Sequence, residues 1–303
     1  MQNQRPVGLI GIGLMGEALC ERLLAAGFAV LGFDIDAEKN RQLAMRGGQA
    51  VATIADIARD ADPIVLAVFS TDQVEDVVER ALLPALGQNS RRIVLCTSTC
   101  DPDRIAALEG RVSRRGLRFL ETPVSGTSEQ VRRGEGVGLL GGDPDVAAEI
   151  EPVLAAMFPR RFHVGRVGDG GRAKLAVNLI LGLNRLALAE GLVFASQLGL
   201  DPRAFLPVAR GSAAYSQVMD TKGQKMVNGD FAPEGRVRQT LKDVRLMLEQ
   251  AKRIGQRLPL LEAHADVLEA CIKHGEADRD NSIVIEEMRR RRLPAVAAAQ
   301  AKG

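Results

Sequence analysis

The chain reads as two successive units of different class. Residues 1–166 predict an α/β unit on a doubly wound, mostly parallel sheet, and residues 167–303 predict an all-helical unit. Three observations predict this. Short apolar runs alternate with helical periodicity through the first half. Those runs are nearly continuous in Val, Ile and Leu, as in strands covered on both faces. Past about residue 165 every periodic segment has a helical repeat, at 174–198, 202–210, 236–254, 258–274 and 282–292.

The elements of the first unit follow in order. A strand over 7–12 leads into a Gly-rich turn and a helix over 15–26, which Gly27 ends as a residue just past a C-cap. A second strand over 29–33 closes on Asp34. Then come a helix at 37–46, a short strand near 50–52, a helix at 54–60, a strand at 64–68 and a helix at 71–82. Strands at 92–96, 117–122 and 137–140 and a helix at 102–114 complete it. The 174–198 stretch is apolar enough to raise a membrane span, but Asn178, Asn184, Arg185, Glu190 and Gln197 interrupt it, which favours a helix buried between domains.

Composition narrows the classes. Lys+Arg 40 against Asp+Glu 38 leaves a net +2, so no strong charge points to nucleic acid or an anionic membrane. Aromatic residues are 3% and Trp is absent, which disfavours base stacking. The four cysteines form no CxxC pair, and three scattered histidines disfavour a metal site, so no metal is expected. No charged n-region precedes the first strand, and a cytoplasmic protein is the default expectation. The run 289–292 is four arginines, read as a solvated helix end.

Gly11-Ile12-Gly13-Leu14-Met15-Gly16 is a GxGxxG element in its required setting, with a strand before it, a helix after it and an acid closing the next strand. Gly11 permits the tight turn, Gly13 lets the backbone approach a pyrophosphate, and Gly16 lets helix and strand pack closely. Leu14 and Met15 open the helix whose N-terminal N–H groups and dipole receive the phosphates. Asp34 lies 18 residues beyond Gly16, near the spacing of an acid that binds ribose hydroxyls and repels a 2′-phosphate. The residues after it, Ile35-Asp36-Ala37-Glu38, add negative charge and no arginine. NAD is favoured over NADP as cofactor.

Three further segments carry a resemblance. Thr122-Pro-Val-Ser-Gly126 runs on to Gly141-Gly142; Gly168-Asp-Gly-Gly-Arg-Ala-Lys174-Leu-Ala-Val-Asn178 follows; Leu241-Lys-Asp243 is weaker. With the glycine cradle they resemble the β-hydroxyacid dehydrogenases, the group that includes 3-hydroxyisobutyrate dehydrogenase and tartronate semialdehyde reductase. In that family the segments read GLGxMG, DxPVSGG, GxGxxxKxxNN and LKD. The resemblance implies a Rossmann-type domain followed by a helical domain, assembly as a homodimer or homotetramer, and a small hydroxy acid or aldehyde acid as substrate. It further implies that Lys174 is the general acid/base, that Ser125 and Gly126 orient the substrate, and that Val68, Phe69, Thr99 and Lys242 touch the cofactor.

The chemistry agrees. Hydride transfer needs a partner for the hydroxyl proton, and a desolvated lysine can fill that role. Asn178 is four residues beyond Lys174 and shares its helix face. Arg185, seven further on, falls near that stripe, where a snorkelling surface arginine is the favoured reading. The chain departs from the family at Thr127, where the second glycine of PVSGG is lost and a side chain is placed beside the substrate. It departs again at Val177, at Glu121 in place of Asp, and at Cys96. The alternatives are an NADPH-dependent reductase of a semialdehyde, keto acid or imine, and a non-catalytic dinucleotide-binding scaffold. The retained Lys174 disfavours both the imine reductase and the scaffold.

Overall fold

The computed structural model describes residues 5–87 and 89–293. The chain divides into two compact units, residues 1–178 and 179–303. The division falls between Asn178 and Leu179, inside the helix Asp169–Gln197, about three turns past the turn at 165–168 that marks the change of rhythm in the sequence.

The first unit holds a nine-stranded sheet: β1 (Val7–Ile10), β2 (Val30–Phe33), β3 (Gln49–Ala50), β4 (Ile64–Leu66), β5 (Ile93–Cys96), β6 (Arg118–Glu121), β7 (Val124–Ser125), β8 (Val137–Gly141) and β9 (Arg160–Gly165). Its spatial order is β3-β2-β1-β4-β5-β6-β8-β7, with β9 also on β8. From β3 to β6 every pairing is parallel, whereas β8 runs antiparallel to β6 and β7. The chain winds outward from β1 on one side and from β4 on the other, so the order reverses between them. In open α/β sheets that reversal is where a ligand crevice forms.

Alternation within the strands builds the two faces. Leu9, Val65, Leu95 and Leu120 enter one buried cluster, while their neighbours Ile10, Ile64, Leu66, Val94 and Phe119 enter the other. Both clusters are almost wholly aliphatic, as the scarcity of aromatics requires. The strand β9 and the helices Ser128–Arg132, Pro144–Glu149 and Glu151–Met157 have no counterpart among the elements expected from the sequence. β9 lies at the sheet's margin with mostly exposed residues, Arg160, Phe162 and His163 among them, and so carries no apolar run. The expected helix over 71–82 is α-helical over Thr71–Asp76 and π-helical over Val77–Leu82.

The second unit is helical, with Pro202–Arg210, Gln224–Asn228, Val237–Arg253, Pro259–Lys273 and Val284–Arg290 beside the latter part of the long helix. A buried cluster ties its loops: Asp280 Oδ2 accepts from Lys222 Nζ at 3.0 Å and from the backbone N–H groups of Glu234 and Gly235. Arg289, Arg290 and Arg291 pair with Glu286, Glu276, Glu287 and Asp266, which makes them a salted helix end rather than a cationic patch. Among the described residues one helix, Asp169–Gln197, is long and apolar enough to cross a membrane by length and composition. Only 33% of its most apolar window is buried, so within one chain it is not the enclosed helix the sequence suggests.

One contact sets where that helix begins. Glu121, at the end of β6, is 3% exposed, and its Oε1 accepts the backbone N–H of Gly168 at 2.5 Å and of Gly170 at 2.9 Å. The N–H of Gly171 donates to the same carboxyl group. An acid therefore caps the helix that carries Lys174. Arg172 adds an outer tie, reaching Asp103 at 2.7 Å and Asp169 at 2.8 Å. Burial pushes the Glu121 carboxyl up to about 7 from 4.5, against the opposing pull of the three N–H donors. An acid raised in the folded state favours folding below its unfolded value and loses that contribution as pH climbs through its folded value. Wild-type stability relative to Glu121→Gln should therefore fall between about pH 5 and pH 8, by on the order of 3 kcal/mol. Urea unfolding of both proteins across that range measures the difference; a difference independent of pH would contradict the assignment.

Candidate active site

Most of the expected site residues of the first unit lie on a loop or helix start at the carboxyl end of a parallel strand or on the helix that Glu121 caps, and Ser125 lies in the short strand β7. After β1 comes the glycine turn. Gly11 has φ +94°, and a Cβ there would lie 2.6 Å from the carbonyl oxygen of Ala67. A Cβ on Gly16 would lie 2.1 Å from the carbonyl oxygen of Gly11, so the helix Leu14–Ala25 can start this close to the strand only on glycine. Gly13 differs: a Cβ there would meet nothing within 4 Å. Gly13 is the N-cap and places no side chain over the N–H groups of Leu14, Met15 and Gly16. Open space before a helix N-terminus fits a dinucleotide pyrophosphate.

Asp34 follows β2. Its Oδ2 accepts the N–H of Ile12 at 2.6 Å and its Oδ1 that of Asp36 at 2.9 Å, which ties the acid to the glycine turn. Asn40 brackets it, accepting from the Asp34 N–H at 2.8 Å and donating to its carbonyl at 2.7 Å. A carboxylate has about four acceptor positions, so one N–H on each oxygen leaves capacity for two ribose hydroxyls. The cations that follow are engaged: Lys39 with Glu17 at 2.9 Å, Arg41 with Glu38, and Arg46 with Glu21 at 3.4 Å.

The loops after β4 and β5 are bonded to each other. Ser98 Oγ donates to the carbonyl of Val68 at 2.7 Å, and the Phe69 N–H donates to Gln73 Oε1 at 2.8 Å. Phe69 is 45% exposed. Thr99 lies one residue beyond Ser98 and is partly buried.

After β6 the chain enters β7, which holds Ser125, and then Gly126, whose φ of 137° is reached readily by glycine. Thr127 has a local role in addition to the one expected of it beside the substrate. Its hydroxyl accepts the N–H of Gln130 at 3.2 Å while Gln130 Oε1 accepts the N–H of Thr127 at 2.9 Å, a capping box opening the helix Ser128–Arg132. The threonine that replaces a glycine is thus engaged in starting a helix, and Thr-x-x-Gln was the sequence signal for it.

Lys174 is 6% exposed, six residues after Gly168, and Asn178 is partly buried one turn later. Both belong to the same compact unit as the glycine cradle. Lys242 belongs to the second unit, on the helix Val237–Arg253, where its Nζ pairs with Asp243 at 3.0 Å. Arg185, expected at the surface, is instead 6% exposed, because it packs beside the buried His264. All four cysteines are buried and unbridged. Sequence reasoning flagged Glu121 only as a departure; its place at the end of a strand facing the Gly168-Asp-Gly-Gly turn is a long-range fact.

Residues 6–165 match the model for the NAD binding domain of 6-phosphogluconate dehydrogenase. Residues 168–288 match that for the NAD-binding domain of NADP-dependent 3-hydroxyisobutyrate dehydrogenase. L-threonate dehydrogenase of Cupriavidus necator is 29% identical over 93% of this chain and 95% of its own length. The 2-hydroxy-3-oxopropionate reductase of Escherichia coli is 27% identical over 93% of this chain and 96% of its own. The crystal structure of 3-hydroxyisobutyrate dehydrogenase from Salmonella typhimurium is 25% identical and superimposes with a TM-score of 0.85, covering 93% of this chain and 99% of that one. The chain belongs to the β-hydroxyacid dehydrogenase family, NAD(P)-dependent oxidoreductases of small hydroxy acids.

Proposed function

We propose that this protein interconverts a small 3-hydroxy acid and its aldehyde or keto form using NAD, with Lys174 as general acid/base. The observation that carries the reading is a lysine removed from water on a helix whose start is fixed by Glu121, in the same compact unit as the glycine cradle. The nicotinamide, when bound, takes up or gives the hydride. Lys174 Nζ takes the hydroxyl proton as the carbinol carbon loses its hydride, and returns it in reduction. Asn178 orients the ammonium or the substrate. Ser125, Gly126 and Thr127 position the acid end, and Thr127 also fixes their loop through its capping box. Val68, Phe69, Thr99 and Lys242 contact the cofactor.

NAD is preferred to NADP because Asp34 presents a carboxylate where a 2′-phosphate would sit and the nearby cations are already paired. Assembly as a homodimer or homotetramer is supported by the long helix. Ile180 (60% exposed) and Phe194 (63%) are apolar and 14 residues apart, with the exposed Ala187 midway, a seven-residue spacing that keeps them on one seam. Leu198, 64% exposed, extends it.

Purified protein with NAD should form NADH from one or a few members of a panel holding 3-hydroxyisobutyrate, 3-hydroxypropionate, glycerate, threonate and serine, and NADP run in parallel should be the poorer acceptor. Lys174→Ala should lose at least about 10²-fold in kcat while binding NADH as wild type does. Wild type silent on the whole panel, or a Lys174→Ala enzyme with unchanged kcat, would overturn the assignment. Size-exclusion chromatography with light scattering should give a dimer or larger, which Ile180→Glu with Phe194→Glu converts to monomer. A monomeric wild type would contradict the seam.

A further inference from the structure

The helical unit contains two buried nitrogen-bearing side chains that the hydride-transfer reading does not use. Arg185 is 6% exposed and its Nε has no acceptor. His264, on the helix Pro259–Lys273, is 1% exposed and neither ring nitrogen has a partner. Both converge on Gly182: a Cβ there would lie 2.7 Å from His264 Cε1, 3.1 Å from Nδ1 and 3.8 Å from Arg185 Nη2. A glycine inside a long helix is unfavourable relative to alanine, and here it makes room for the imidazole beside the guanidinium.

A guanidinium withdrawn from water requires an anion or several acceptors. The acid whose charge reaches it is Asp280. Yet Asp280 already accepts from Lys222 Nζ at 3.0 Å, from the N–H groups of Glu234 and Gly235, and from that of Ser282. Its charge is balanced locally by the buried ammonium of Lys222. Burial drives Arg185 down to about 10, and burial with the adjacent cation drives His264 down to about 3, which leaves a neutral imidazole able to donate one N–H.

We infer that Arg185 and His264 form an oxyanion-binding site in the helical unit, taking a carboxylate or phosphate group. The guanidinium supplies charge and a planar fork, and the imidazole supplies a second donor from the opposite helix. The group is either a free small anion or the distal acidic group of a substrate. This goes beyond the hydride-transfer reading and is tested without turnover.

The experiment is thermal unfolding in an anion-poor buffer, with and without inorganic phosphate or malonate. Either anion should raise the wild-type Tm with saturation. Arg185→Met should match or exceed the wild-type Tm without anion, because it removes a buried guanidinium whose Nε has no acceptor, and it should lose the anion response. Arg185→Lys keeps the charge without the fork and should bind the anion at least about tenfold more weakly. A hydroxydicarboxylate whose stabilisation is not additive with phosphate identifies a substrate's distal carboxylate, and additive stabilisation identifies a free anion; both carry the site. A lower Tm of Arg185→Met without anion, or a full anion response in that variant, would overturn it.

Discussion

A buried carboxylate holding the start of a helix sets the frame for the rest of the molecule. Glu121 ends β6, the last strand of the parallel run from β3 to β6, and one of its oxygens receives the N–H groups of Gly168 and Gly170. The helix Asp169–Gln197 thus begins against the sheet and carries Lys174 and Asn178 at a fixed register from that anchor. The turn has to be glycine-rich: a Cβ on Gly170 would fall 2.5 Å from the carbonyl of Leu139. Displacing the carboxylate would free the helix start and, with it, the height of the lysine above the strand ends.

Electrostatic economy runs through the cradle as well. The helix Leu14–Ala25 begins without a side-chain cap, leaving its N–H groups for an anion, while Asp34 is steadied by the N–H of Ile12 from the same turn. The turn and the acid are therefore one hydrogen-bonded object, and the nearby basic residues are drawn off into pairs with Glu17, Glu21 and Glu38. That arrangement suits an NAD(P)-type dinucleotide.

The parts legible in the sequence were those with short-range signatures. GxGxxG declares itself because strand, turn and helix are contiguous, and Asp34 because its spacing is set by one helix and one strand. The helices at 202–210, 236–254 and 258–274 were legible from periodicity and fall within a residue or so of Pro202–Arg210, Val237–Arg253 and Pro259–Lys273. What escaped was either too short for a period or decided by distant contacts. Ser128–Arg132 is five residues long and rests on its capping box, and the six-residue helix Pro144–Glu149 is marked only by the N-cap and first-turn proline Asp143-Pro144. The burial of Arg185 depends on His264, 79 residues away in sequence, and no local pattern reports it. Thr127 carries both a motif position and a local signal, the Thr-x-x-Gln capping box.

Gly13 offers the most direct test of the claim that this turn holds a dinucleotide. Its φ is −76° and an added Cβ meets nothing within 4 Å, so Gly13→Ala should fold with nearly unchanged Tm. A bound pyrophosphate, however, would have to approach that same backbone. The measurement is NADH affinity by fluorescence titration of wild type and Gly13→Ala, with Tm recorded for both. Clear binding by wild type is expected, with a loss of at least about tenfold in the variant at equal stability, the size of one displaced charge-assisted contact. Equal affinity in the two proteins, or no binding by a folded wild type, would contradict it.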